Sequence, residues 1–161
     1  MARFLIALGT SHPDGLSYLE SSMEKIRRSH ALTFICASRI YKNSSFGTTY
    51  NSIFHNCVCA IRSDLNPLTL YRELMSVEMA MGRIRTYKFA RRTIDIDVLM
   101  SLEFTFTTGN FVLPHREAFR RNFFVVPATQ ALKLANWPIP ITLLNAQAKM
   151  RQGYLILRGL C

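Results

Sequence analysis

Residues 94–100, IDIDVLM, constrain this chain more than any other stretch. The period-two alternation of a strand puts Asp95 and Asp97 on one face and Ile94, Ile96 and Val98 on the other. Only the second face can enter an apolar core. Two carboxylates about 7 Å apart on an otherwise apolar strand repel each other and need a counter-charge. A divalent cation supplies one. Hard oxygen donors from only two protein carboxylates suit Mg²⁺, which keeps waters and takes phosphate oxygens in its remaining positions.

The segment just upstream sharpens the chemistry. Arg83, Arg85, Lys88, Arg91 and Arg92 crowd into ten residues. Guanidinium forks match phosphate oxygens, whereas a carboxylate pair repels phosphate unless a metal bridges them. Together the two segments point to a polyphosphate with its metal, a phosphoryl-transfer arrangement. The competing reading is a solvated arginine loop in salt bridges to a structural aspartate pair. No GxxxxGK[ST] loop and no protein-kinase glycine loop occurs, so a nucleotide is held another way. A second cluster, residues 114–124, brings His115, Arg116, Arg120 and Arg121 within reach of a phosphate. A third runs from Asn43 to Asn56. There Phe46 and Phe54 can sandwich a flat ring, and Asn56 can donate and accept at an amide edge.

Composition narrows the class. Twenty Lys plus Arg against ten Asp plus Glu leave a net charge of +10, yet 49% of residues are hydrophobic. A disordered basic tail is far poorer in apolar residues. The 161 residues are expected to form one domain spanning 1–161. Such a charge on a packed chain asks for an anionic partner: nucleic acid, membrane or a phosphorylated small molecule. Cys36, Cys57 and Cys59 lie in strand-like runs without metal-ligand spacing, so all four cysteines, Cys161 included, are expected as reduced thiols, the three within the runs buried. No run reaches the roughly 18 apolar residues of a membrane span, and residues 3–8 are too short for a signal core. A cytoplasmic protein is expected.

Along the chain, Phe4–Leu8 reads as a buried strand, and Leu16, Leu19, Met23 and Ile26 as one helix stripe after Ser11-His-Pro-Asp14. Residues 32–41 read as one strand, 43–52 as a surface loop and 53–62 as the next strand. Asn66-Pro67 opens a helix that stops at Gly82. Phe104–Leu113 reads as a hairpin turning at Gly109-Asn110, a short helix follows Pro114, and a helix and strand fill 123–158. The order β-α-β-β-α-β predicts an α+β, ferredoxin-like sandwich: an antiparallel sheet with helices and extra C-terminal elements.

These residues resemble the 6-hydroxymethyl-7,8-dihydropterin pyrophosphokinase family over residues 3–130. The resemblance is carried by Ala7-Leu-Gly-Thr-Ser11, Phe46-Gly47, Phe54-His-Asn56 and Glu78 with Gly82-Arg-Ile-Arg85. Arg92-Thr-Ile-Asp-Ile-Asp97, Leu113-Pro-His115 and Arg121-Asn-Phe123 complete it. It implies transfer of pyrophosphate from ATP to the pterin hydroxymethyl group, releasing AMP, in folate biosynthesis. It implies two Mg²⁺ ions on Asp95 and Asp97, with Arg83 and Arg92 acting on the transferring phosphates. Glu78, Arg85, Lys88, Val98, His115, Arg116 and Arg121 match ATP-binding positions. Asn56 matches the reader of the ring's amide edge, and Phe123 the residue stacked on the ring. Asn43, Ser44, Phe46, Phe54 and Phe89 match the rest of the pterin pocket. Partners are then small molecules, with no nucleic acid and no membrane, and a monomer is expected.

The chain departs from the family pattern at Ser44-Ser45, where Pro-Pro is usual, and at Phe89, where tryptophan is common. Ala90-Arg91 replaces Gly-Pro, the loop between Gly82 and Arg92 is one residue shorter, and Ser11 replaces an asparagine. These changes bear on loop closure and turnover more than on substrate identity. Two alternatives follow: a degenerate member that binds pterin or nucleotide with little turnover, and a ferredoxin-like RNA-binding module. The second lacks the RNP-type aromatic motif, and its aspartate pair would repel a phosphate backbone.

Overall fold

The computed structural model describes residues 1–44, 53–83, 93–150 and 155–156. In chain order the elements are β1 (Ala2–Thr10), α1 (Gly15–Arg28), β2 (Thr33–Ala37), β3 (Tyr41–Ser44), β4 (Ile53–Ser63), α2 (Pro67–Ala80) and β5 (Asp95–Ser101). Then come β6 (Phe106–Thr108), β7 (Phe111–Leu113), α3 (Asn122–Leu134), α4 (Ile141–Ala148) and β8 (Leu155–Ile156). The fold is α+β. Its main sheet runs β5-β1-β4-β3-β8, with β2 also on β4, and every pairing is antiparallel.

Alternation along β1, β4 and β5 sends apolar side chains to both faces. Phe4, Ile6, Leu8, Cys57, Cys59, Ile61, Ile96 and Val98 join Leu19, Met23 and Ile26 of α1 and Leu70, Leu74 and Val77 of α2 in one core. Leu5, Ala7, Val58, Ala60 and Leu99 join Phe124, Val125, Ala128 and Leu132 of α3 and Leu143 and Ala146 of α4 in the other. The α3–α4 layer is therefore a full second cover for the sheet, beyond the extra C-terminal elements expected. The register between β1 and β5 steps at Leu5/Ile6, where Leu5 faces Met100 and Ile6 faces Val98. Leu99 is the extra residue of this bulge, and it accepts the His115 backbone N–H at 2.7 Å.

Several expectations hold. Asn66 caps α2 by accepting the Thr69 N–H at 3.0 Å, with Pro67 at the first turn. The hairpin turns at Gly109, whose φ is 52°. Others need correction. The run 32–41 is two strands, because Ser38 breaks it. Its hydroxyl donates to Arg39 O and accepts the Val58 N–H, a local bonding that competes with the ladder. Asn43 and Ser44 lie in β3 rather than in a loop, and 45–52 fall outside the described residues. No helix follows Pro114. Residues 115–121 form backbone turns, with the Ala118 N–H bonded to His115 O and those of Arg120 and Arg121 to Glu117 O. Helix α1 buries Gly15, Leu19, Ser22, Met23 and Ile26 but exposes Leu16, and its Asp14 cap makes no side-chain bond. Cys36 is half-buried, whereas Cys57 and Cys59 are fully buried.

Candidate functional site

The end of α2 sets one border of the site. Gly82 adopts φ 76°, a left-handed helix stop that a residue with a side chain resists. The turn brings the Arg83 N–H back to Glu78 O at 3.1 Å and returns its side chain along the helix end. Among the described residues β5 lies at the sheet edge, so backbone groups on its outer side have no strand partner there. Glu78, 3% exposed, fills that role by accepting the Ile96 N–H at 2.6 Å. Its carboxylate also accepts from Arg83 Nη1, and the same nitrogen reaches Asp95 Oδ1 at 2.7 Å. A guanidinium thus sits between two carboxylates at the strand edge.

Burial pushes the Glu78 carboxyl above its ordinary value, against the opposing pull of the Ile96 N–H and Arg83. Burial alone would weaken the Arg83 charge, but Asp95 and Glu78 outweigh it and raise its pKa. The Ile96 N–H between Asp95 and Asp97 is held by a buried acid and the first aspartate by a half-buried cation. Both features fix carboxylate direction before any ligand arrives.

Across the sheet the register builds a polar row. Gly9 of β1 pairs with Asp95 on one side and with Asn56 on the other, and Asn56 pairs in turn with Tyr41. Ala7 similarly lies between Asp97 and Val58. Asn56 is 7% exposed and donates from Nδ2 to Asn43 Oδ1 at 2.6 Å. Tyr41 is buried and ties β3 to α3 by donating to Gln130 Oε1 at 3.0 Å. Phe54, one residue before His55, is half-buried at the start of β4.

The segment entering α3 approaches the same face. His115 is anchored by its backbone to the Leu99 bulge, and its Nδ1 accepts the Glu117 N–H at 3.2 Å. The acceptor role leaves the proton of a neutral ring on Nε2. The ring meets Phe124 edge-on at 5.9 Å. Phe124 in turn contacts Phe123 at 4.6 Å, and Phe123 is half-buried against the α3–α4 core. Arg121 lies over Phe123 at 5.5 Å and pairs with Glu117 at 3.0 Å. Arg116 is exposed.

Of the residues singled out from sequence, Glu78, Arg83 and Asp95 are in direct contact, Asp97 shares their strand face, and Asn43 bonds Asn56. His115, Arg121 and Phe123 gather at the α3 entrance. The Val98 side chain is 2% exposed in the α1–α2 core, on the face away from the aspartates. Arg92, Arg85, Lys88, Phe89 and Phe46 lie outside the described residues, as does the side chain of Ser44. Sequence reasoning assigned Gly9 no role, although its motif was noted; strand pairing was the missing signal.

A carboxylate pair beside a half-buried guanidinium, on an antiparallel α+β frame, suits an enzyme of the phosphate-transferring class. The family model described as 7,8-dihydro-6-hydroxymethylpterin-pyrophosphokinase matches residues 5–133. The chain belongs to this family. A 2-amino-4-hydroxy-6-hydroxymethyldihydropteridine pyrophosphokinase from Methylorubrum extorquens is 31% identical over 130 residues, covering 81% of this chain and 82% of that protein. The Bacillus subtilis protein of the same name is 28% identical over 125 residues, covering 78% and 75%. A Plasmodium falciparum HPPK-DHPS solved with SDX-DHP shares the fold, with a TM-score of 0.68 at 15% identity. That match covers 92% of this chain and 43% of the solved one, so the chain spans less than half of it.

Proposed function

We propose that the protein transfers pyrophosphate from ATP to the hydroxymethyl group of 6-hydroxymethyl-7,8-dihydropterin, releasing AMP, as a step of folate biosynthesis. One observation carries the reading: Asp95 and Asn56 flank the bare backbone of Gly9 in a single row. Two strand spacings separate them, roughly 10 Å. That span suits a bicyclic ring whose amide edge meets Asn56 while its one-carbon arm reaches the aspartates.

The donor set fits Mg²⁺. Asp95 and Asp97 offer hard oxygens on one face, and among the described residues no group of three acids, histidines or cysteines forms. A site with two carboxylates leaves positions for phosphate oxygens and water. Asp95 and Asp97 would hold two Mg²⁺ ions, which supply charge neutralisation of the phosphates and a lowered pKa for the attacking hydroxyl. Arg83, already desolvated beside Asp95, places positive charge where the triphosphate arrives, and Arg92 acts with it. Arg85, Lys88, His115, Arg116 and Arg121 bind the nucleotide, with the His115 Nε2–H as a donor. The Val98 backbone borders it and Glu78 braces its neighbours. Asn56 reads the ring edge. Phe54 and Phe123 cover its faces, and Asn43, Ser44, Phe46 and Phe89 close the pocket. Among the described residues no side chain stands as a general base, so positioning and electrostatics supply the rate.

The strand order β5-β1-β4-β2 with two crossing helices supports the ferredoxin-like βαββαβ assignment. We read residues 1–161 as one catalytic domain, monomeric and cytoplasmic, without a nucleic-acid partner; no described helix is long and apolar enough to cross a membrane. Incubation with ATP, Mg²⁺ and 6-hydroxymethyl-7,8-dihydropterin should release AMP in step with the pterin diphosphate. Pterin binding without AMP release would instead identify a degenerate binder.

A further inference from the structure

Gly9 carries more of the site than its lack of a side chain suggests. A Cβ there would lie 2.7 Å from Asn56 Oδ1 and 3.9 Å from Asn56 Cγ, with no other described heavy atom within 4 Å outside its chain neighbours. Carbon and carbonyl oxygen do not tolerate 2.7 Å. The Asn56 amide has no easy retreat, because its Nδ2 is bonded to Asn43 Oδ1 on the opposite side and the residue is 7% exposed. The amide is therefore held between a side-chain acceptor on β3 and a bare backbone on β1. Asp95, the other neighbour of Gly9, is not touched by the added atom.

We infer that Gly9 is a positioning residue for pterin specificity: by lacking a Cβ it lets the Asn56 carbonyl lie flush against β1, in the orientation that reads the ring's amide edge. The inference rests on the pterin reading of the site and adds a separable consequence. Substitution at Gly9 should damage ring recognition through Asn56 while leaving the nucleotide and metal side intact. Neither a loss of fold nor a loss of phosphate chemistry has that signature.

The test measures binding by the full chain of 6-hydroxymethyl-7,8-dihydropterin, and separately of a non-hydrolysable ATP analogue with Mg²⁺. Gly9→Ala should weaken the pterin by about tenfold or more, the cost of displacing a hydrogen-bonding edge, with the nucleotide changed less than about twofold. Asn56→Ala and the Gly9→Ala/Asn56→Ala double variant complete the cycle. If Gly9 acts through Asn56, the double variant binds pterin no worse than Asn56→Ala alone; additive losses would overturn the inference. Equal pterin binding by Gly9→Ala and wild type would overturn it while leaving the pterin reading in place. A wild-type protein that binds the nucleotide but no pterin would overturn both. Should Gly9→Ala fail to fold, the double variant still decides. Its recovery of the fold supports the contact, and its failure overturns it.

Discussion

The two faces of the main sheet are made from the same three strands, yet they differ in how the core ends. Toward α1 and α2 the centre of the surface is apolar: Phe4, Ile6 and Leu8, then Cys57, Cys59 and Ile61, then Ile96 and Val98, none more than 2% exposed. Toward α3 and α4, Leu5, Ala7, Val58, Ala60 and Leu99 begin a core that stops at Asp97, Asp95, Gly9 and Asn56. The first face ends at Thr10 and His55, packed where α1 begins, and the other in a row that carries two carboxylates. The lesson is that alternation lets neighbouring residues of one strand serve stability and chemistry separately, each with its own failure mode.

Asp97→Ala should produce the largest effect. If the aspartate holds metal against the phosphates, its loss removes several kcal/mol of transition-state stabilisation, about three orders of magnitude in turnover. The melting temperature should stay close to wild type, since the residue is only half-buried and outside both cores. AMP release and a thermal melt on the same sample check both halves. A variant that melts far lower while retaining activity would abolish the distinction between faces. Ile6→Ala is the converse. It deletes a fully buried side chain from the apolar face and should cost about 2–5 kcal/mol in denaturant unfolding. The molecules that remain folded should keep normal KM values for both substrates. A normal unfolding midpoint with a raised pterin KM would place Ile6 in the site.

How much of this was legible follows the same division. Faces could be read from the sequence: alternation assigned Asp95 and Asp97 to one side and Ile94, Ile96 and Val98 to the other, because a strand's period is local. Partners could not. That Gly9 lies between Asp95 and Asn56 depends on register, which is set by packing of residues far apart in the chain. The Ser38 break was hidden for another reason: a single hydroxyl overrides the strand propensity of its neighbours. Glu78 was read as a residue near the nucleotide. Its bond to Ile96 was invisible because it requires β5 to be an edge strand.

Glu78 spans the division. Its helix belongs to the apolar side, while its carboxylate holds Ile96 and Arg83 at the polar row. Glu78→Gln keeps an acceptor for the Ile96 N–H and removes the charge facing Arg83, a change of about 1 kcal/mol in stability. Its pH dependence is the sharper readout. The folded protein holds the Glu78 proton more tightly than the unfolded chain does. Wild-type stability from this group is therefore lost as pH rises above the ordinary 4.5 toward the raised folded value. Glutamine lacks that loss, so the difference between variant and wild type should move in the variant's favour with rising pH. Unfolding midpoints at a series of pH values check it; parallel curves would mean that Glu78 is not burdened by burial.

Glu103 offers the opposite sign at the other end of β1, far from the polar row. It accepts from Arg3 Nε at 2.6 Å and from the Arg3 N–H at 2.8 Å. Burial pushes its carboxyl up, but Arg3 overcomes that and holds it below the ordinary value of 4.5. The stabilisation is present above pH 4.5 and is lost as pH falls through the lowered folded value. Glu103→Gln should therefore cost most at neutral pH and converge with wild type in acid. Because the pair is about one-third exposed, the cost at neutral pH should stay below about 1 kcal/mol and shrink in high salt. Turnover should be unchanged, since this end of the sheet carries only packing and surface charge. A Glu103→Gln enzyme with altered pterin or ATP kinetics would show that the polar row is coupled to the far end of β1, and that the separation holds across the sheet but not along it.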